Sequence, residues 1–246
     1  MQVGDANMEV KVLRKEGARL TLHIKGMSLA TVNALRRAII SDLPCFAIDE
    51  VSFLQNTSAM FNEYLANRLA LVPLTYEESI ATDAKVSLSL NSEGPCMVYS
   101  RDLKSSDEQI RPYNENAPIM KLAAGQKLVL EATAVRNTSK EHAKYQCALA
   151  SYSYYPELKK KGSGSWDSVL KEMPPGLVSK DGKIIDYSKI DAIDDYANQS
   201  DDMELKLHED EFLFHVESYN NVEPMQHFET AIEIIGERLD EALKKE

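Results

Sequence analysis

The 246-residue sequence contains no apolar run approaching the roughly 18 residues that a membrane-spanning helix needs. Residues 1–7, Met-Gln-Val-Gly-Asp-Ala-Asn, lack the basic and apolar regions of a signal peptide. The expectation is a cytoplasmic protein with no membrane partner. Positive charge is scarce: 28 Lys and Arg stand against 39 Asp and Glu, a net charge of −11. The basic clusters are small, Arg36-Arg37 and Lys159-Lys160-Lys161. DNA-binding domains gain most of their affinity by neutralising phosphates with clustered Lys and Arg. No direct, specific DNA binding is expected, and proteins are the expected partners. Cysteine is equally sparse. Cys45, Cys96 and Cys147 form no CxxC or other ligand spacing, which points to reduced core thiols.

Recognisable catalytic patterns are missing too. There is no glycine-rich phosphate loop, no GxSxG elbow and no DxD-type cluster for catalytic Mg²⁺. The five histidines form neither HxH nor HExxH. His208-Glu209-Asp210-Glu211 is the one stretch rich in metal-ligand residue types. It reads as a solvated acidic turn, because adjacent side chains on such a segment diverge. The expected sites are therefore neither catalytic nor metal-binding.

What is present is organised. Hydrophobic residues make up 43% and charged residues 27%, enough apolar material to build a globular core. Val10 and Val12, a turn at Glu16-Gly17, and Leu20, Leu22 and Ile24 predict a hairpin. Ser28 then caps a predicted helix carrying Leu29, Val32, Leu35, Ile39 and Leu43, stopped by Pro44. A strand over 47–54, a helix over 58–71, strands over 86–90 and 128–135, a polar loop over 100–118 and a strand within 145–155 follow. Residues 157–203, with a Gly-Ser run at 162–165, Pro174-Pro175-Gly176 and an acidic end at Asp201-Asp202, suggest a loosely packed insertion. Phe212, Phe214 and Val216 alternate as a strand, and Pro224 suits the first position of a last helix. There Met225, Phe228, Ile232, Ile235, Leu239 and Ala242 step by 3, 4, 3, 4 and 3. That period fits a partner helix or packing on the chain's own sheet. A strand followed by a helix near both ends suggests one domain built from the termini, with the middle inserted. Taken alone, these patterns describe an α+β protein. They leave open a stand-alone interaction module, or a small-molecule enzyme whose site follows no motif.

Four segments narrow the choice. Asn33-Ala34-Leu35-Arg36-Arg37, continuing through Pro44 to Ala47-Ile48-Asp49-Glu50-Val51, resembles the signature of alpha-type subunits of DNA-directed RNA polymerase. Arg68-Leu69-Ala70-Leu71-Val72-Pro73-Leu74 is similar to the family's R-x-x-x-x-P-L segment, and His142-Ala143-Lys144-Tyr145-Gln146 to an archaeal H-A-K-W-Q motif. Phe214-His215-Val216-Glu217-Ser218 is similar to the F-x-V-E-S strand before the last helix. In family order, these segments span nearly the whole chain and match the archaeal, D-type members best.

The resemblance implies a non-catalytic assembly subunit. It would pair with a smaller alpha-like subunit (L in archaea) and carry the second-largest, largest and small zinc-binding subunits. Leu29, Val32, Leu35, Ile39 and Leu43, with Met225, Phe228, Ile232, Ile235 and Leu239, would form the partner-subunit interface. Arg36, Arg37 and Arg68 would face the second-largest subunit, where guanidinium pairs bidentately with carboxylate or carbonyl oxygens. The implied architecture is a discontinuous dimerisation domain (1–45 and 210–246), an antiparallel sheet with two helices. A mainly-β inserted domain (46–156 and 204–209) and a small, loop-rich, ferredoxin-like insert (157–203) complete it.

Several archaeal members hold an iron–sulfur cluster in that insert, but residues 157–203 contain no cysteine. A cubane cluster uses four cysteine thiolates, or three where one iron is missing, and the whole chain has three. By the resemblance, Cys45 ends the dimerisation helix while Cys96 and Cys147 lie in the inserted domain, so the three are not expected to converge. The insert would instead rely on Trp166, Leu170, Met173, Leu177, Ile184, Ile185 and Tyr187 as an apolar core. Anaerobically purified chain should therefore contain neither iron nor acid-labile sulfide. Near-stoichiometric amounts of both, lost on cysteine mutation, would contradict this.

Overall fold

A computed structural model describes residues 8–161, 166, 170, 173–199 and 202–244; the 1–7 stretch, the 162–165 run and Asp201 lie outside the described residues. In chain order the strands are β1 (Glu9–Glu16), β2 (Arg19–Lys25), β3 (Pro44–Asn56), β4 (Lys85–Glu93), β5 (Cys96–Tyr99), β6 (Lys104–Ser105), β7 (Pro118–Leu122), β8 (Lys127–Thr138), β9 (Ala148–Lys160) and β10 (Met203–Ser218). The α-helices among the described residues are α1 (Leu29–Ser41), α2 (Asn62–Ala70), α3 (Ile190–Gln199) and α4 (Pro224–Leu243). The strands form sheets in the orders β1-β2-β10-β9 and β3-β8-β4-β6, and β5 pairs with β7. No helix among the described residues is long and apolar enough to cross a membrane.

The chain divides into two compact units. One holds residues 14–20, 32–151 and 215–246; the other holds residues up to Leu13, 21–31 and 152–214. In the larger unit, alternation decides the second sheet. Val86, Leu88 and Leu90 of β4 lie directly across from Ala134, Ala132 and Leu130 of β8, and all six are buried. Opposed apolar pairs on one face both stabilise the sheet and set its register. Leu65 and Leu69 of α2, with Val98, Ile119 and Leu122 of the β5–β7 pair, join the same core.

The predicted hairpin forms β1 and β2, turning at Gly17 with φ of +52°. Thr31 donates its backbone N–H to the Ser28 hydroxyl at 3.1 Å, so Ser28 caps α1 as its residue type favours. The second helix starts later than the predicted 58, at Asn62. Asn56 explains the delay: its Oδ1 accepts from the Ser58 N–H at 3.1 Å and its Nδ2 donates to the Met60 carbonyl at 2.9 Å. Such a side-chain turn competes with helix for the same backbone groups. The predicted strand within 145–155 begins only at Ala148, after a short 3₁₀ turn over Ala143–Tyr145 capped by His142.

The smaller unit departs most from expectation. Residues 157–203 contain helix α3, with Ile193 and Ala197 buried, and a core of Leu158, Met173, Leu177, Ile184 and Met203. Trp166, Leu170 and Tyr187 pack against it, as expected from the sequence. Ile185 does not join them; it is exposed. Strand β10 starts at Met203, well before the alternation at Phe212. The stretch 208–211 is therefore strand, not turn.

Gly182 has φ of +79°, and a Cβ built there would lie 2.2 Å from the Trp166 ring. Gly182→Ala should cost about 1–3 kcal/mol through backbone strain and ring displacement. Trp166 is the chain's one tryptophan, so its fluorescence during urea unfolding reports this directly. An unchanged midpoint and emission maximum would show that the glycine is dispensable.

Candidate subunit interface

The last helix carries the seam. Pro224 begins α4, where its missing N–H costs nothing. In the first half of the helix, His227, Phe228 and Ala231 are buried within the chain, and Met225 is half-buried. The second half differs: Ile232, Leu239 and Leu243 are 44%, 60% and 71% exposed. Ile235 is half-buried beside them. Spaced by 3 or 4 residues, these four side chains form one stripe down a single helix face.

Asp42 ties this helix to the end of α1. Arg238 of α4 donates to Asp42 Oδ2, and Lys140 Nζ lies 2.7 Å from Oδ1. The Ser41 hydroxyl donates to the same carboxylate at 2.9 Å. Burial pushes the Asp42 carboxyl up, but the hydrogen bonds from Arg238, Lys140 and Ser41 outweigh it and hold the group below the usual carboxylate range. Next to it, the Ser139 hydroxyl donates to the Ile40 carbonyl at the end of α1, where helical partners run out.

The residues singled out from the sequence separate into three groups. Val32, Leu35, Ile39 and Leu43 are buried inside the chain itself, as is Phe228. Leu29, Ile232 and Leu239 are exposed, while Met225 and Ile235 are half-buried. The arginines differ again. Arg36 is held by Asn33 Oδ1, at 3.1 Å from Nε and 3.0 Å from the terminal nitrogen. Arg68 donates to its own chain, to the Ile119 carbonyl at 2.8 Å and the Pro118 carbonyl at 2.6 Å. Arg37 is exposed.

Two further expectations need correction. His208, Asp210 and Glu211 do converge, with potential ligand atoms within 4.8 Å of one another. Their charges are answered from within the same unit: His23 Nε2 is 2.6 Å and Lys25 Nζ 2.8 Å from Glu211, and His208 Nε2 is 2.8 Å from Glu157. Burial raises the Glu211 pKa, yet the contacts from Lys25 and His23 bring it below its usual value. The cysteines are also less scattered than their spacing suggested. Cys45 lies in β3, not at a helix end; its thiol donates to the Phe46 carbonyl at 3.4 Å, and it lines one cavity with Cys147. Cys96 donates instead to the Glu93 carbonyl at 3.5 Å.

At the start of α4, His227 Nε2 lies 3.0 Å from the Ser218 hydroxyl, and burial lowers its pKa to about 4. The unfolded chain takes up this proton near 6.5, so the contribution to stability is full above that pH and is lost as pH falls towards 4. Between pH 7 and pH 5 the chain should lose roughly 2 kcal/mol more than His227→Gln does. Urea midpoints at the two pH values measure this; equal losses would mean the imidazole protonates freely in the folded state.

Comparison with known proteins shows the family. Residues 43–151 match the family described as RNA polymerase Rpb3/RpoA insert domain. DNA-directed RNA polymerase subunit Rpo3 of Natronomonas pharaonis is 34% identical over 95% of this chain and 95% of its own. The Rpo3 of Pyrobaculum arsenaticum is 36% identical over 86% of each chain, and that of Thermococcus kodakarensis 44% identical over 68% of this chain and 67% of its own. With similarity running from the hairpin to the last helix, the chain belongs to the Rpo3 family, the archaeal alpha-type, non-catalytic subunits of DNA-directed RNA polymerase.

Proposed function

We propose that this chain is an assembly platform of the polymerase, pairing with a smaller alpha-like subunit of the L type. The supporting observation is the exposed apolar stripe on the second half of α4, Ile232, Leu239 and Leu243 with half-buried Ile235. An apolar helix face of this kind is the usual mark of a docking surface. A partner helix laid along it would bury side chains contributing about 1.5–3 kcal/mol each. Residues 1–45 and 210–246 then act as the dimerisation domain, 46–156 with 204–209 as the inserted domain, and 157–203 as a small insert without an iron–sulfur cluster.

Because Val32, Leu35, Ile39 and Leu43 are already buried, α1 supports this interface from beneath, by positioning α4 through Asp42 and Arg238. The second-largest, largest and small zinc-binding subunits assemble on the pair. Exposed Arg37 is the best placed of the three arginines to reach the second-largest subunit, since Arg36 and Arg68 already bind within the chain. The acidic net charge of −11 suits a cytoplasmic subunit that meets proteins and leaves DNA to its partners.

Leu239→Glu should abolish co-elution with the co-expressed L-type subunit on size exclusion, because burying an unpaired carboxylate costs several kcal/mol. Leu239 is exposed in the isolated chain, so the variant should fold as the parent does. Undiminished co-elution would place the interface elsewhere.

A further inference from the structure

The larger unit contains a cavity of about 430 Å³ that no part of the subunit reading uses. That size is within the range of small-molecule pockets, roughly 300–1,000 Å³. Leu71 and Leu74 reach it from the stretch after α2, Lys144 from the 3₁₀ turn before β9, and Asn220 from the turn into α4. Phe46, Leu74 and Asn220 are buried parts of its wall, while Leu71 and Tyr113 are exposed and keep it open to solvent.

Two polar features give this mostly apolar wall a chemical direction. The first is Asn220, which is 3% exposed. Its Oδ1 accepts the Val222 N–H at 3.0 Å, and that bond sets the orientation of the amide. Turning the amide over would place its N–H₂ against the Val222 N–H, donor against donor. Nδ2 is therefore the end left over, buried and without a hydrogen-bond partner. A buried donor in this state is costly and calls for an acceptor from outside the chain. The second feature is charge. Lys144 is the one charged residue among the described lining residues, and no carboxylate lines the cavity with it. Its Nζ lies 2.6 Å from Asp49, outside the lining, which answers part of that charge. In a chain of net charge −11, a cavity whose single charge is positive stands apart from the rest of the surface.

We propose that this cavity binds a small molecule with an apolar body and a single carboxylate. A carboxylate oxygen accepts from Asn220 Nδ2, and the body packs against Phe46, Leu71 and Leu74. A neutral carbonyl would also satisfy the amide, but Lys144 favours the anion. A basic ligand or a metal cation would find no anionic partner in this wall. The pocket thus has the usual form of a ligand site, an apolar lining with a few polar groups that fix orientation.

The test follows the Asn220 side-chain amide of the full-length chain by proton–nitrogen correlation NMR. The chain is titrated with hydrocinnamate, hydrocinnamamide and propylbenzene, which share one body and differ in the acceptor. Hydrocinnamate should shift the amide signals saturably, and propylbenzene should bind at least roughly tenfold more weakly, with the amide between them. Asn220→Asp keeps the oxygen that serves Val222 and removes the donor. Hydrocinnamate binding should fall by a similar factor in that variant, while propylbenzene binding is unchanged. Ala143→Trp, at an exposed lining residue, leaves the turn into α4 intact and should weaken all three probes. Equal binding of hydrocinnamate and propylbenzene, or saturation without a shift at Asn220, would overturn the proposal and leave water as the partner of the amide. So would the absence of any shift with hydrocinnamate, benzoate or hexanoate at millimolar concentration. Loss of hydrocinnamate binding once the chain is assembled into polymerase would overturn it too, by assigning the cavity to a neighbouring subunit.

Discussion

The buried carboxylate of Asp42 is the contact on which the proposed interface depends. It sits just past the end of α1 and receives Arg238 from α4, Lys140 from the loop after β8, and the neighbouring Ser41 hydroxyl. A buried charge is tolerable only when its oxygens are fully engaged, and three donors meet that need. The consequence is geometric. Arg238 adjoins Leu239, so the ion pair holds the helix about two turns beyond Ala231, the last of its buried residues. Without that tether, the exposed half of α4 would have only helical propensity to hold it, which is weak for a short segment in water.

A second constraint acts at the other end of the same helix. His227 is buried against Ser218, and Asn220 accepts the Val222 N–H at 3.0 Å, which shapes the turn into α4. The helix is thus fastened at its start by a neutral polar network and near its end by an ion pair, with apolar packing between. A rigid helix presenting an apolar stripe loses little conformational entropy on association, which favours a stable subunit contact.

Much of this was readable from the sequence, because the relevant signals are local. Ser28 ahead of an apolar run, the alternation in β2, β4 and β8, and Pro224 before a heptad each reflect a period or a cap that needs no tertiary knowledge. Other features were hidden for definable reasons. In α3, Asp191, Asp194 and Asp195 surround Ile190, Ile193 and Ala197, so a short amphipathic helix reads as an acidic stretch. The first half of β10 is polar, and its strand state depends on sheet pairing. Periodicity could not tell which half of the α4 seam is covered by the chain itself, and nothing local announced that Arg68 would be consumed by the Pro118 and Ile119 carbonyls. That Cys45 and Cys147 line one cavity is wholly tertiary, since about a hundred residues separate them in sequence.

Hydrogen–deuterium exchange of the chain, alone and with its L-type partner, tests the central claim most directly. The account predicts that amides over residues 232–243 gain protection on pairing, while those over 224–231, already packed, change little. Protection that appears elsewhere and leaves 232–243 exchanging as in the free chain would contradict it.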